Sequence, residues 1–166
     1  MGELLIPRLL DDSMVDRAYT LVRTLAPNMT PARWLKFTGL QAGSRPASRP
    51  EGFMSVQNSA GYIFGLYRFE VRDTLDMSRV LCADNIIVAN LPGRDRIWAV
   101  MAETMENLAR MNDCRSIRAE IFADLDLSDG ERAWIVSACA ESGYAFDGSR
   151  AFKLLPASHS AAGPER

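Results

Sequence analysis

Histidine is nearly absent from this 166-residue chain: the only one is His159, in a polar stretch at the end. A nucleophile–histidine pair needs its base held to a fraction of an ångström. A polar terminus does not provide that, so Ser-His-Asp and Cys-His chemistry is excluded, and histidine-rich zinc sites with it. Cysteine is sparse and odd in number. Cys82, Cys114 and Cys139 lie far apart with no C-x2-C spacing, which reads as free thiols in a reducing compartment. There is no GxxxxGK[ST] phosphate loop and no GxGxxG fingerprint, so nucleotide hydrolysis and dinucleotide binding lack their motifs. No D-x-D cluster sits at a likely strand end; Asp124 and Asp126 have that spacing and read as a solvated loop. No metal is expected. Lysine is limited to Lys36 and Lys153, the rest of the 19 basic residues being arginine, and 21 acidic residues leave a net charge of -2. With a pI near 5.5, no nucleic-acid partner is expected. No apolar run approaches the roughly 20 residues of a membrane span. The opening MGELLIPRLLDD carries an acid at position 3 and lacks a signal peptide's basic start and apolar centre. The expected location is therefore cytoplasmic, with no membrane partner.

Hydrophobic residues at 48% and charged residues at 24% make an ordinary globular composition. The length fits one domain, assigned to residues 1–156, with 157–166 as a polar tail. Leu4 to Leu10 reads as a strand. Met14, Val15, Ala18, Leu21, Val22 and Leu25 then mark one face of a helix that ends at Pro27. Thr30-Pro31 caps a second, short helix that carries Trp34 and stops at Gly39. The Gly, Ser and Pro of residues 40–52 form a connecting loop. Three strands follow, Phe53 to Asn58, Tyr62 to Val71 and Arg79 to Asn90. The run Ile86-Ile87-Val88 predicts burial on both faces. Leu91-Pro92-Gly93 breaks the third strand, and a long helix begins near Asp95. Its buried face carries Ile97, Val100, Met101, Thr104, Met105, Leu108 and Met111. Ile117 to Ala123 is the next strand. Ser128 and Glu131 form a capping box for a last helix with Trp134, Ile135, Ala138 and Cys139 on its apolar side. Two short strands, Tyr144 to Phe146 and Arg150 to Leu155, close the chain. The order β-α-α-β-β-β-α-β-α-β-β implies an α/β (α+β) domain, with helices on the faces of a central sheet.

The junction from Ile86 to Met101, IIVANLPGRDRIWAVM, is where chemistry concentrates. A buried strand ends, a short turn follows, and the free amides of a helix N-terminus attract anions. Arg94 and Arg96 offer bidentate contacts to phosphate. An ordinary strand-to-helix turn with exposed arginines is the other reading.

Over residues 4–155 the element order resembles the GNAT superfamily of acyl-CoA-dependent N-acetyltransferases. Val88 and Ile97 match the apolar positions of the family pattern V-x-P-x-x-R-G-x-G-I-G, and Gly143-Tyr144 stands where Gly-Phe is usual. Asn90 replaces the proline, Gly93 the Arg or Gln, and Arg94, Arg96 and Trp98 all three glycines. The resemblance implies a mixed, mainly antiparallel central sheet flanked by helices. It implies acetyl-CoA as co-substrate, held around Ile86, Val88, Gly93, Arg94, Asp95, Arg96, Ile97 and Trp98. Trp98 could instead fill the space of the coenzyme, and Asp95, as N-cap, would place a carboxylate among the phosphates.

For the transfer itself, the resemblance implies a carboxylate that takes the amine proton, Asp84 first and Glu120 second. A proton donor in the last helix falls on Cys139, where the family has tyrosine. Arg132 replaces a common asparagine. Trp34 and Tyr67 would line the pocket for an acceptor, an amine of a small molecule or of a protein. The alternative is a catalytically eroded GNAT-like module that works through protein contacts, with a homodimer among its options.

Overall fold

The computed structural model describes residues 3–40, 50–121 and 127–156. Strand β1 (Ile6–Leu9) leads through a 3-10 turn (Asp12–Met14) into helices α1 (Val15–Leu25) and α2 (Pro31–Thr38). Strands β2 (Glu51–Gln57), β3 (Ile63–Asp73) and β4 (Arg79–Val88) form a meander. Helix α3 (Arg94–Met111), strand β5 (Cys114–Glu120), helix α4 (Asp129–Glu141) and strands β6 (Ala145–Asp147) and β7 (Arg150–Leu154) complete the domain. This is the expected order. The loop at 41–49, the Asp124–Asp126 pair and the tail at 157–166 lie outside the described residues.

Local chemistry sets the helix ends. The Thr30 hydroxyl accepts from the Arg33 amide at 3.3 Å, Pro31 takes the first helical position of α2, and Gly39 ends it with φ of 67°. Ser128 and Glu131 form the reciprocal capping box of α4. At α3 the expectation needs correcting. The N-cap is Gly93, with φ of 85°, and Asp95 lies inside the first turn. Met111 is 80% exposed rather than buried, because it is the last helical residue and the chain turns away from it into β5.

The seven strands run in the order β1-β2-β3-β4-β5-β7-β6. All neighbours are antiparallel except the central pair β4–β5. Side chains alternate across the sheet. Leu81, Ala83, Ile117 and Ala119 pack with Met101, Met105 and Ala138 under α3 and α4. Phe53, Leu66 and Ile87 pack with Leu21, Val22 and Trp34 under α1 and α2. Ile86 and Ile87 thus enter opposite cores, as the run of apolar residues predicts. Gly65 lets α3 lie against β3: a methyl group there would stand 2.6 Å from the Met101 sulfur. The rest of the α1/α2 face, over β3, β4, β5 and β7, mixes charged side chains such as Arg68, Asp84, Arg118 and Glu120 with Cys82 and Phe152.

Candidate active site

Two features of β4 open the middle of the sheet. The first is a bulge. Arg68 pairs with Asp84 and Leu66 with Ile87, so Asn85 and Ile86 together oppose Tyr67 alone. Asn85 takes φ of 50°, a conformation asparagine tolerates better than most side chains. The second is a divergence. The parallel pairing of β4 with β5 ends at Ala83 and Ala119. From Asp84 to Val88 the β4 edge that faces β5 has no strand partner among the described residues, although Asp84, Ile87 and Val88 still pair with β3 on the other side. Its peptide groups are therefore available to a ligand that carries amides.

On the α3/α4 side this gap is a narrow cleft lined by Ile86, Val88, Arg94, Trp98, Ile121 and Trp134, with a volume of about 30 Å³. That is room for little more than a water or two. A side-chain clamp holds it narrow. The Trp134 indole donates to Asp95 Oδ1 at 2.6 Å, and the Arg94 guanidinium lies 4.1 Å over the Trp134 ring while donating to Asn90 Oδ1 at 3.1 Å. Trp98 is 3% exposed and forms one wall. Its indole nitrogen is turned toward the end of α4, donating to the Ala138 carbonyl and the Ser142 hydroxyl, each at 3.0 Å. Arg96 reaches the other way, to the Glu3 carbonyl at 3.2 Å, and with Gly93 and Ile97 lines a separate hollow beside Phe64 and Leu91. The expected coenzyme residues are thus divided. Ile86, Val88, Arg94 and Trp98 line the cleft, Asp95 belongs to its clamp, and Gly93, Arg96 and Ile97 stand outside it.

On the α1/α2 side an apolar pocket of about 190 Å³ is walled by Trp34, Phe37, Phe53, Met29 and Ile87. Trp34 is fixed by its indole donating to the Val15 carbonyl at 2.9 Å and by edge-on contact with Phe53. Leu25, Ile86 and Ile121 line both this pocket and the cleft, so among the described residues these side chains form a shared wall between the two. Glu120 closes the rim of the pocket and also lines an adjoining polar trough of about 150 Å³ with Arg72, Cys82, Asp84, Arg118 and Arg150. Asp84 lies 3.7 Å from Arg68, and Glu120 lies 3.2 Å from Arg150. Both candidate carboxylates therefore stand where the strands part, each beside an arginine.

Two expected residues lie elsewhere. Tyr67, expected at the acceptor pocket, is fully buried on the α3 side of the sheet, because the pleat sends β3 side chains alternately to opposite faces. Its hydroxyl has no partner among the described residues, and burial pushes its pKa upward. Cys139 is 0% exposed in the same core and lines neither cleft nor pocket; burial pushes its thiol up to about 12. Trp134 counts in the sequence only as part of an apolar stripe, and Arg72, Arg118 and Arg150 only as scattered charges. The Asp84-Asn85 step, a polar pair interrupting an apolar strand, is the one sequence signal of the bulge. Among the described residues no cluster of three His, Cys, Asp or Glu could hold a metal, and no helix is long and apolar enough to cross a membrane.

No family model matches the sequence, and no curated protein matches it. Solved structures do. An aminoglycoside N-acetyltransferase in complex with CoA superposes with a TM-score of 0.64 at 14% identity, over 98% of this chain and 98% of its own. Spermidine N-acetyltransferase from Vibrio cholerae, in complex with CoA and spermine, gives 0.63 at 13%, over 90% of this chain and 95% of its own. The glucosamine N-acetyltransferase region of a fungal multi-domain β-N-acetylglucosaminidase gives 0.65 at 14%, over 89% of this chain, which spans only 18% of that protein. The chain has the GNAT fold, at a distance in sequence that leaves few positions shared.

Proposed function

We propose that the chain is an acyl-CoA-dependent N-acetyltransferase. The observation that carries this reading is the seam between β4 and β5, open among the described residues, with a cleft on one face of the sheet and an apolar pocket on the other that share Leu25, Ile86 and Ile121 in their walls. The unpartnered edge from Asp84 to Val88 suits the amide-bearing arm of coenzyme A. The volume suits it only when the Trp134 clamp swings away.

Acetyl-CoA supplies the acyl group as a thioester. Trp34 and its neighbours hold the body of the acceptor amine, and Glu120 at the pocket rim, with Asp84 beside the bulge, takes the proton from nitrogen. The carbon–nitrogen bond forms as the carbon–sulfur bond breaks. The leaving thiolate takes its proton from water, since an ordinary thiol has a pKa near 8.5 and Cys139 is sealed in the core.

A second reading rests on the clamp itself. The contacts of Arg94, Asp95 and Trp134 close the place where the coenzyme would lie, as they would in a module that no longer binds it. Isothermal titration with acetyl-CoA and free CoA separates the two. Saturable binding of both, and a melting temperature that rises with ligand concentration, is the expected result. No heat and no shift at millimolar ligand overturns the enzyme reading.

A further inference from the structure

We infer that the acceptor is an apolar amine that also carries one carboxylate close to its nitrogen, with Arg118 as the residue that selects for it. This rests on the acetyltransferase reading and goes beyond it by naming the substrate class.

The trough beside the apolar pocket is a built feature of the sheet. Register places Glu70, Cys82, Arg118 and Phe152 in one row across β3, β4, β5 and β7. One step further along the same face, just past the last β4–β5 pair, stand the cross-strand pairs Arg68–Asp84 and Glu120–Arg150. Arg68, Arg150 and Arg72 each have an acidic partner, Asp84, Glu120 and Glu70 respectively. Arg118 has none among the described residues. It lines the trough two positions before Glu120 on the same strand face, about 7 Å away along the chain. Three guanidinium groups face two carboxyl groups in the lining, which leaves one cation over. A single negative charge matches that surplus, whereas a phosphate dianion beside two carboxylates would exceed it. The planar guanidinium fork suits a carboxylate.

Glu120 is shared between trough and pocket. An amine at Glu120 therefore has an apolar hollow on one side and Arg118 on the other. The aromatic wall of Trp34, Phe37 and Phe53 and the volume of about 190 Å³ accept a side chain of aromatic size. Nitrogen, carboxylate and apolar body diverge from one point, which is the geometry of an apolar α-amino acid.

Matched pairs test the inference: L-phenylalanine against phenethylamine, L-tryptophan against tryptamine, L-leucine against isoamylamine. Each pair differs only in the carboxylate. CoA release is followed by chromatography, and binding to the protein without acetyl-CoA by calorimetry. At least one amino acid should exceed its amine by about tenfold or more in kcat/KM and in affinity, as a charge-assisted contact requires. Arg118→Gln should bring that ratio to near one by weakening the amino acid alone, and Arg118→Lys should restore part of it. Amines equal to or better than amino acids in every pair, or a ratio unmoved in Arg118→Gln, overturns the inference, as does binding of neither member of any pair. The outcome for the enzyme reading is separate. Amino-acid binding that depends on Arg118, with no acetyl-CoA binding, supports the selectivity of the trough and removes the transferase. Acetyl-CoA turnover with plain amines preferred does the reverse.

Discussion

Replacing Trp134 by phenylalanine keeps an aromatic ring under Arg94 and removes the hydrogen bond to Asp95. The bond is 2.6 Å long, from the half-buried Trp134 indole to the exposed Asp95 carboxylate, which places it at the low end for a charge-assisted bond, about 1.5 kcal/mol. The guanidinium stacked at 4.1 Å adds about 0.5 kcal/mol. Together they hold the cleft shut by about 2 kcal/mol, so about 3% of molecules are open before ligand arrives. Apparent affinity for acetyl-CoA is reduced by that fraction. Trp134→Phe should tighten binding about tenfold and Trp134→Ala about fifteenfold, since the open fraction rises to about a third and about a half respectively. Calorimetric titration at 25 °C measures both. Variants that bind acetyl-CoA within twofold of the unaltered protein would refute the clamp as a gate. Variants that bind more weakly would show that Trp134 touches the ligand instead.

Lys153 ties three elements together, with its ammonium 2.5 Å from Glu106 and 2.8 Å from the Ser142 carbonyl. Lys153→Ala should cost about 1–2 kcal/mol in urea unfolding, because the Glu106 carboxylate loses one of its two cationic partners and keeps only Arg110 at 2.9 Å. Burial pushes the thiols of Cys114 and Cys139 up to about 11 and about 12. At pH 8 a disulfide reagent should therefore label only the half-buried Cys82 quickly in the folded protein, and all three cysteines in denaturant. In the β3–β4 turn, Thr74 and Ser78 donate to Asp76 and lower its pKa to about 2. A lowered carboxylate pKa stabilises the fold above the unfolded value and is lost as pH falls, so the contribution should vanish between about pH 4 and pH 2; a smaller acid-induced loss in Asp76→Asn checks it. Trp98→Gly, which restores a glycine of the family pattern, should destabilise by about 3–5 kcal/mol through cavity formation and leave acetyl-CoA binding no stronger.

The order of elements could be read from the chain because each depends on short-range spacing. The stripe of α1, the capping box of α4 and the alternation of β5 all lie within a dozen residues. What escaped depends on register. Asp84 and Glu120 are candidates in the sequence, but only the pairing Ala83–Ala119 puts them side by side at the start of the seam. Tyr67 reads as well for a pocket as for a core until the pleat assigns its face. The bulge adds one residue to a strand whose composition hardly changes, so only Asn85 hints at it. Cys139 fits the tyrosine position by counting, and counting carries no depth.

The departures from the family pattern are better understood in pairs than one by one. Arg94 and Trp98 stand where glycines are usual, and each contacts α4 or the residue that follows it: Arg94 the Trp134 ring, Trp98 the Ala138 carbonyl and Ser142. Asp95, between them, accepts from Trp134 as well. Glycines at these positions would leave the start of α3 bare for a diphosphate. Here the same surface is covered by side chains that join α3 to α4, and α4 has the matching partners. Loss of the glycines is therefore half of a rebuilt helix–helix contact. Any diphosphate must compete with the outer part of that contact, Arg94 and Asp95 with Trp134, while the inner part around Trp98 stays in the core. That division is why the seam between β4 and β5, rather than the glycine turn, carries the functional reading.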